Sequence, residues 1–151
     1  MDEQLFRVIY CSRNRIRGSA VDIETEIRKI LHTSRANNAA LSVTGALRYN
    51  SGNFAQVLEG PVEAVGKIFE KIQRDLRHSE VTVVENGLTG ERYFANWSMA
   101  FSGSGLLAPV QRATDAFAAA FACAEGAGEQ MLTVLRELVQ QEDDWVLIDA
   151  A

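Results

Sequence analysis

Four short runs hold side chains that can handle protons, electrons or a polar ligand. Tyr10 lies in LeuPheArgValIleTyrCysSer (5–12). Two neutral amides, Asn37 and Asn38, close SerArgAlaAsnAsn (34–38). Gln56 stands among apolar residues in AsnPheAlaGlnValLeu (53–58), and Trp97 and Met99 flank Ser98. A buried amide must be hydrogen-bonded or it costs free energy. Two amide sites in one core therefore point to a bound polar ligand that both donates and accepts. Tyrosine titrates near pH 10, so Tyr10 is a neutral phenol at pH 7. Each position also has an ordinary structural role: Tyr10, Trp97 and Met99 as core, Gln56 as a partner of backbone, and Asn37-Asn38 as a helix C-cap.

The elements that must position these groups can be read from periodicity. Residues 5–12 are rich in strand formers, and Phe6, Val8, Tyr10 and Ser12 share one face. Residues 22–36 read as a helix with Asp22 as N-cap and Ile23, Ile27, Ile30, Leu31 and Ser34 in one stripe. Residues 42–49 and 53–58 read as a hairpin around Asn50-Ser51-Gly52, which puts Phe54, Gln56 and Leu58 on one face. Gly60-Pro61 starts a second helix with Val62, Val65, Ile68, Phe69, Ile72 and Leu76 as its apolar stripe. Lys71, Arg74, Arg77 and His78 fill its last turns, where the macrodipole favours cations. Strands follow at 81–84 and 97–101.

The order β-α-β-β-α-β with one further strand is the ferredoxin-like, split βαβ pattern, an α+β fold with two helices on one face of the sheet. The other face needs a cover. Residues 109–124 and 129–140 predict a helical pair for it, with Phe117, Phe121, Met131, Leu132, Leu135, Leu138 and Val139 at helical spacing. The expected organisation is a domain at 1–104 and a helical cap and tail at 105–151, in one structural unit.

Composition narrows the function classes. The 151 residues are 47% hydrophobic and 23% charged, a globular balance, and the net charge of −5 argues against direct nucleic-acid binding. No apolar run approaches the ~20 residues of a membrane span. No signal peptide is visible, and the two cysteines, Cys11 and Cys123, fit no metal or redox spacing, so a cytoplasmic protein with reduced thiols is expected. The phosphate-loop, dinucleotide, HExxH and nucleophile-elbow motifs are all missing. Glu59 reads as an acid at the start of the second helix, beside Pro61.

Taken together, the strand tyrosine, SerArgAlaAsnAsn, ThrGlyAlaLeu, PheAlaGlnValLeuGluGly, IleGlnArgAspLeuArgHis and TrpSerMet resemble the BLUF family, the sensors of blue light using FAD. The resemblance covers roughly residues 4–103, and the ordered set is far more specific than any one motif. It implies one FAD held non-covalently between the two helices, its ring system against the sheet. By motif match, Tyr10, Asn38 and Gln56 are the ring-contacting polar residues, with Ser34 and Trp97 or Met99 beside them. Asn37 occupies a position where some members carry His. Arg35, Arg77 and His78 match basic positions near the flavin side chain.

The implied chemistry suits the residue types. A phenol gives an electron to an excited flavin if its proton has somewhere to go, and an amide both donates and accepts. Tyr10 and Gln56 are thus expected to be photoactive, with Trp97, Met99 and Ser34 modulating. Altered hydrogen bonding from Gln56 to the flavin then shifts absorption to the red. The expectation is a photoreceptor for signal transduction and not an enzyme. It signals through residues 97–141 to a separate partner protein, one that handles a cyclic nucleotide or regulates transcription, or through a change in a homodimer or higher homo-oligomer. Two competing readings are a flavin redox enzyme, which lacks a dinucleotide fingerprint here, and a ferredoxin-like interaction domain without cofactor, which would be colourless.

Overall fold

The computed structural model describes residues 4–50, 52–95, 97–102 and 132–133. Its elements are β1 (Leu5–Asn14), α1 (Ala20–Ala40), β2 (Thr44–Asn50), β3 (Asn53–Pro61), α2 (Val62–Gln73), β4 (His78–Thr89) and β5 (Ala100–Ser102). The sheet order is β4-β1-β3-β2-β5. The first four strands pair antiparallel, and β5 joins β2 in parallel. This is the expected ferredoxin-like α+β arrangement with one added edge strand.

Alternation along the strands sorts the core into two layers. Val8, Tyr10, Leu47, Tyr49, Phe54 and Leu58 point to the helices and pack with Ile27, Leu31, Val65 and Ile68. Ile9, Cys11, Ala46, Ala55 and Val57 fill the opposite layer with Phe94 and Ala100. Leu132 is helical and buried in that second layer. The rest of the expected helical pair, and with it the 105–151 cap and the tail, lies outside the described residues.

Several boundaries differ from the sequence reading. Helix α1 starts earlier because Ser19, not Asp22, is its N-cap. Ser19 Oγ accepts from Asp22 N at 3.2 Å, and Asp22 Oδ2 accepts from Ser19 N at 2.9 Å, a capping box. Gly18 before it has φ +119°, and a Cβ there would lie 2.5 Å from Asp22 Oδ2. Pro61 is the N-cap of α2 rather than its first helical residue. That helix closes at Gln73, so Arg77 lies in the turn after it and His78 opens β4. Leu76 falls past the helix end and is exposed, and Val62 is largely exposed; neither belongs to the buried stripe.

Strand β4 runs twelve residues, not four, following β1 along its length through two register shifts. Trp97–Met99 is irregular, not strand, and β5 begins only at Ala100. The two side chains therefore do not share a strand face. Glu59 is not a helix-start acid. It is fully buried on β3 and accepts from the backbone N–H of Tyr93 at 2.9 Å and of Phe94 at 2.6 Å. Arg7 Nε lies 3.5 Å from it, and Arg92 donates to the Glu59 carbonyl at 3.2 Å and the Ser42 carbonyl at 2.8 Å. One carboxylate thus fastens the 91–95 segment, and through it the approach to Trp97, onto the sheet.

Candidate functional site

Tyr10 and Gln56 are 46 residues apart in sequence and directly opposite in the β1–β3 ladder. Opposed side chains on one face stand about 5 Å apart at Cβ, close enough for a phenol to reach an amide. The Tyr10 hydroxyl donates to Gln56 Oε1. Gln56 Nε2 donates to Met99 Sδ at 3.5 Å. The glutamine is therefore held at both ends of its amide, between a strand tyrosine and a thioether from the irregular segment. Burial, and secondarily the Asp75 carboxylate, push the Tyr10 phenol far above its ordinary range. Tyr10 is a protonated donor across the accessible pH range.

Helix α1 supplies the next polar group. Ile27, Leu31 and Asn38 are its buried residues, and spacings of four and seven keep them on one face. Asn38 therefore points inward, and Nδ2 donates to the Ser98 carbonyl at 2.7 Å. One position earlier, Asn37 is rotated out and exposed. Arg35 Nε donates to the Met99 carbonyl at 3.0 Å. Helix α1 thus grips Ser98 and Met99 by their backbone while Gln56 meets the Met99 side chain.

These groups border a cavity of about 220 Å³ between α1, α2 and the sheet. Tyr10 and Gln56 form its floor, with Asn38 and Ser34 on the α1 side and Ile68, Lys71 and Ile72 on the α2 side. Leu47, Phe54 and Ile30 add apolar wall. Asp75, Arg77 and His78 lie at the end near the α2–β4 turn. A flat aromatic ring system with carbonyl and N–H edges suits this combination of apolar walls and convergent amides. The volume is below the roughly 300–1,000 Å³ of whole-ligand pockets, so it suits a single ring system rather than a whole dinucleotide.

The three basic residues matched by motif are placed differently. Arg77 is held by Asp75, with Nε 2.9 Å from Oδ1 and NH2 2.5 Å from Oδ2, and NH1 lies 3.7 Å from Glu26. This pairing with Arg77 holds the Asp75 carboxyl below the usual carboxylate range. His78 Nδ1 meets Ser12 Oγ at 2.7 Å and Nε2 meets the Ile72 carbonyl at 2.6 Å. A carbonyl only accepts, so Nε2 carries the proton. Arg35 faces Met99 and is absent from the cavity wall.

Of the two aromatic or sulfur candidates, Met99 is the one beside Gln56. Trp97 is half-buried, with its ring 6.2 Å from Phe94, and touches the packing of both core layers. Its carbonyl accepts from Gly45 N at 3.2 Å. A Cβ at Gly45 would fall 2.0 Å from the Val57 carbonyl, so glycine is what lets β2 lie this close to β3. The sequence reading did not single out Lys71 and Asp75 as site residues. Their signal was present: Lys71 follows Ile68 by three on the helix, and Asp75 precedes Arg77 by two.

Comparison with known proteins agrees with this geometry. The family model "BLUF: Sensors of blue-light using FAD" matches residues 5–100. Photoactivated adenylate cyclase subunit beta of Euglena longa is 34% identical over 128 residues, 82% of this chain, and the chain spans only 14% of that protein's length. Among solved structures, BlrB, a BLUF protein in its dark state, aligns with a TM-score of 0.70 at 28% identity, over 92% of this chain and 97% of that one. BlsA in its photo-activated state aligns with a TM-score of 0.65 at 28% identity, over 89% and 94%. Residues 5–100 make this chain a member of the BLUF family, blue-light sensors that use FAD: a photosensor domain and not a catalytic one.

Proposed function

We propose that Tyr10 and Gln56 are the switching pair of this sensor and that the signal leaves through Met99. The observation that carries the reading is the hydrogen bond from the Tyr10 hydroxyl to Gln56 Oε1 at the cavity floor. Bound flavin would supply the blue absorption and an excited-state acceptor for one electron from a neighbouring donor. The phenol of Tyr10 is that donor, and its proton passes along the existing hydrogen bond to Gln56 Oε1. On return of the electron, Gln56 would give one proton back to Tyr10: from Oε1 it is left an amide, turned over, and from Nε2 it is left in its imidic tautomer, so the proton count of the pair is unchanged. Its donor and acceptor ends then face different neighbours.

Such a change is felt at Met99, because the thioether now accepts from Gln56 Nε2. Asn38 and Arg35 hold the same segment from α1, so displaced packing at Met99 passes to Ala100–Ser102 and the chain beyond. Asn38 positions the ring edge and Ser34 and Trp97 tune recovery. In the Euglena relative a segment like this one belongs to a cyclase, which supports a downstream partner protein that makes or breaks a cyclic nucleotide, reached by this chain directly or as a homo-oligomer.

The test is an absorption spectrum in the dark and after blue light, with amide exchange followed in both states. A reversible red shift with altered exchange protection at 97–102 is the expected result. A flavin-loaded protein with no shift overturns the switch, and a shift with unaltered protection at 97–102 overturns the exit route.

A further inference from the structure

We propose that Glu59 is a positioning residue for the switch: its buried carboxylate pins the chain at Tyr93–Phe94, which seats Met99 against Gln56 and lets a disturbance there travel only forward, into β5. The inference rests on Met99 being the exit of the signal. Gln56 and Glu59 stand three apart on β3, so their side chains leave opposite faces of the sheet. Both meet the same stretch of chain. Glu59 takes the Tyr93 and Phe94 backbone on the packed face, and Gln56 takes the Met99 side chain on the cavity face. One strand thus holds this stretch twice, once on each side of the sheet.

The two holds differ in kind. On the packed face both Glu59 oxygens are engaged. Oε2 accepts from the Tyr93 N–H, and Oε1 accepts from the Phe94 N–H and, at 3.4 Å, from Thr44 Oγ1. Arg7 donates to the Glu91 carbonyl at 3.2 Å, with its guanidinium 4.8 Å from the centre of the Tyr93 ring. Arg92 adds a bond to Thr44 Oγ1 at 2.9 Å, beside its contacts with the Ser42 and Glu59 carbonyls. Hydrogen bonds to a carboxylate are about twice as strong as neutral ones. On the cavity face the hold is one amide on one thioether at 3.5 Å, and a thioether is a weak acceptor.

Backbone bonds relay the fixed end to the movable one. Trp97 N donates to the Phe94 carbonyl at 3.0 Å, and the Trp97 carbonyl accepts from Gly45 N at 3.2 Å. The position of Phe94 therefore sets where the chain enters Ser98 and Met99. A rearranged Gln56 alters the weak hold and leaves the strong one intact, so Met99 cannot yield back toward Phe94. The yielding side is β5, three residues long at the sheet edge.

The experiment follows amide exchange along the full chain, in the dark and under blue light, with and without flavin. Glu59→Gln keeps the size of the side chain and removes one of the two acceptor oxygens. In the dark, flavin-free protein, exchange at 93–99 is expected to rise about tenfold in this variant, with the β1–β3 ladder unchanged. With flavin, light is expected to alter exchange at 98–102 in the unaltered chain and to leave 93–94 alone. In Glu59→Gln the light effect is expected to spread to 93–94 and shrink at 100–102. Arg92 is half-buried, so Arg92→Gln loosens the same stretch without touching the carboxylate; it is expected to shift the light effect the same way, and it decides the matter if Glu59→Gln does not fold. A rise spread evenly over the sheet in Glu59→Gln overturns the proposal, as does a light effect at 93–94 in the unaltered chain or an unshifted light effect in Arg92→Gln. No rise at 97–99 in the flavin-free Glu59→Gln protein overturns the positioning role whatever the photocycle does. A light effect missing from 97–102 in the unaltered chain overturns the exit route itself.

Discussion

The two faces of the central sheet are built from the same strands and to opposite ends. On the helix side, Tyr10, Leu47, Phe54 and Gln56 are large or polar, and they leave a cavity beneath α1 and α2. On the other side, Ile9, Cys11, Ala46, Ala55 and Val57 are mostly small, apolar and fully covered. Every strand alternates between the two programmes, so a one-residue register slip would exchange them. The cavity side gives up packing to gain directed hydrogen bonds. The reverse side gives the sheet its rigidity. A hydrogen-bond switch needs both: groups free to exchange partners, and a floor that holds still while they do.

The largest expected effect tests the first half of that contrast. In the proposed switch, Tyr10→Phe would remove the electron and proton donor, and Gln56→Leu the group that turns over. Either is expected to abolish the light-induced red shift while the protein stays yellow, because one neutral hydrogen bond contributes only about 0.5–1.5 kcal/mol to retention. Dark and light absorption spectra decide it. A normal photocycle in either variant would remove the pair from the switch.

The Glu59 carboxylate fastens the 91–95 segment to the packed face at the end of β3, which makes it the next point to break. Glu59→Ala leaves the N–H groups of Tyr93 and Phe94 unpaired in the interior. A loss of roughly 3 kcal/mol in unfolding free energy is expected, read from urea denaturation. Photocycle recovery in the surviving folded protein should also change, because the same segment leads to Trp97 and Met99. Stability within a few tenths of a kcal/mol of the unaltered chain would show that the clamp carries little.

The sheet face was readable from the sequence because strand period and amide burial are local. Tyr10, Gln56 and the ferredoxin-like order follow from alternation and element sequence. Asn38 follows from helical spacing once α1 is extended past residue 36. The Glu59 clamp was not readable, since its partners lie 34 and 35 residues away on irregular backbone. The fate of Arg77 was hidden for a different reason. It was assigned to the end of α2 by charge pattern, but Asp75, two residues before it, captures it in the turn that follows. Strand β4 outran its apolar run because pairing with β1 stabilises residues with weak strand preference, Ser79, Asn86 and Gly87 among them.

Paired substitutions sharpen the contrast between cavity and packed face. Ala55→Leu adds bulk where no space exists and is expected to cost about 1–3 kcal/mol. Ser34→Leu adds bulk at the cavity wall and is expected to leave the fold intact while excluding flavin. Cys11 gives a direct readout of the packed face. Burial pushes its thiol up to about 12, so the native protein holds almost no Cys11 thiolate at pH 8 and alkylates there slowly. Peptide mapping after alkylation should show Cys11 labelling accelerated in Ala55→Leu and unchanged in Ser34→Leu. The reverse pattern would mean the two faces have been assigned the wrong mechanical roles.

The smallest expected effect concerns the Asp75–Arg77 pair at the open end of the cavity. Arg77 donates to the Asp75 carboxylate and lowers its proton affinity below the unfolded value. A depressed carboxylate contributes stability above its unfolded pKa of about 3.9, and that contribution disappears as pH falls through the folded value. Both side chains are about a third exposed, so water screens the pair and the gain at pH 7 should be under about 1 kcal/mol. Asp75→Asn is therefore expected to lower the urea midpoint slightly at pH 7, with the two proteins converging as the pH is taken below 4. The same substitution frees Arg77 toward the cavity and removes a charge that raises the Tyr10 phenol. The dark flavin spectrum is expected to move by a few nanometres at most, since Tyr10 stays protonated through burial alone. Equal midpoints for the two proteins at pH 7 would show that this pair orients Arg77 without stabilising the fold.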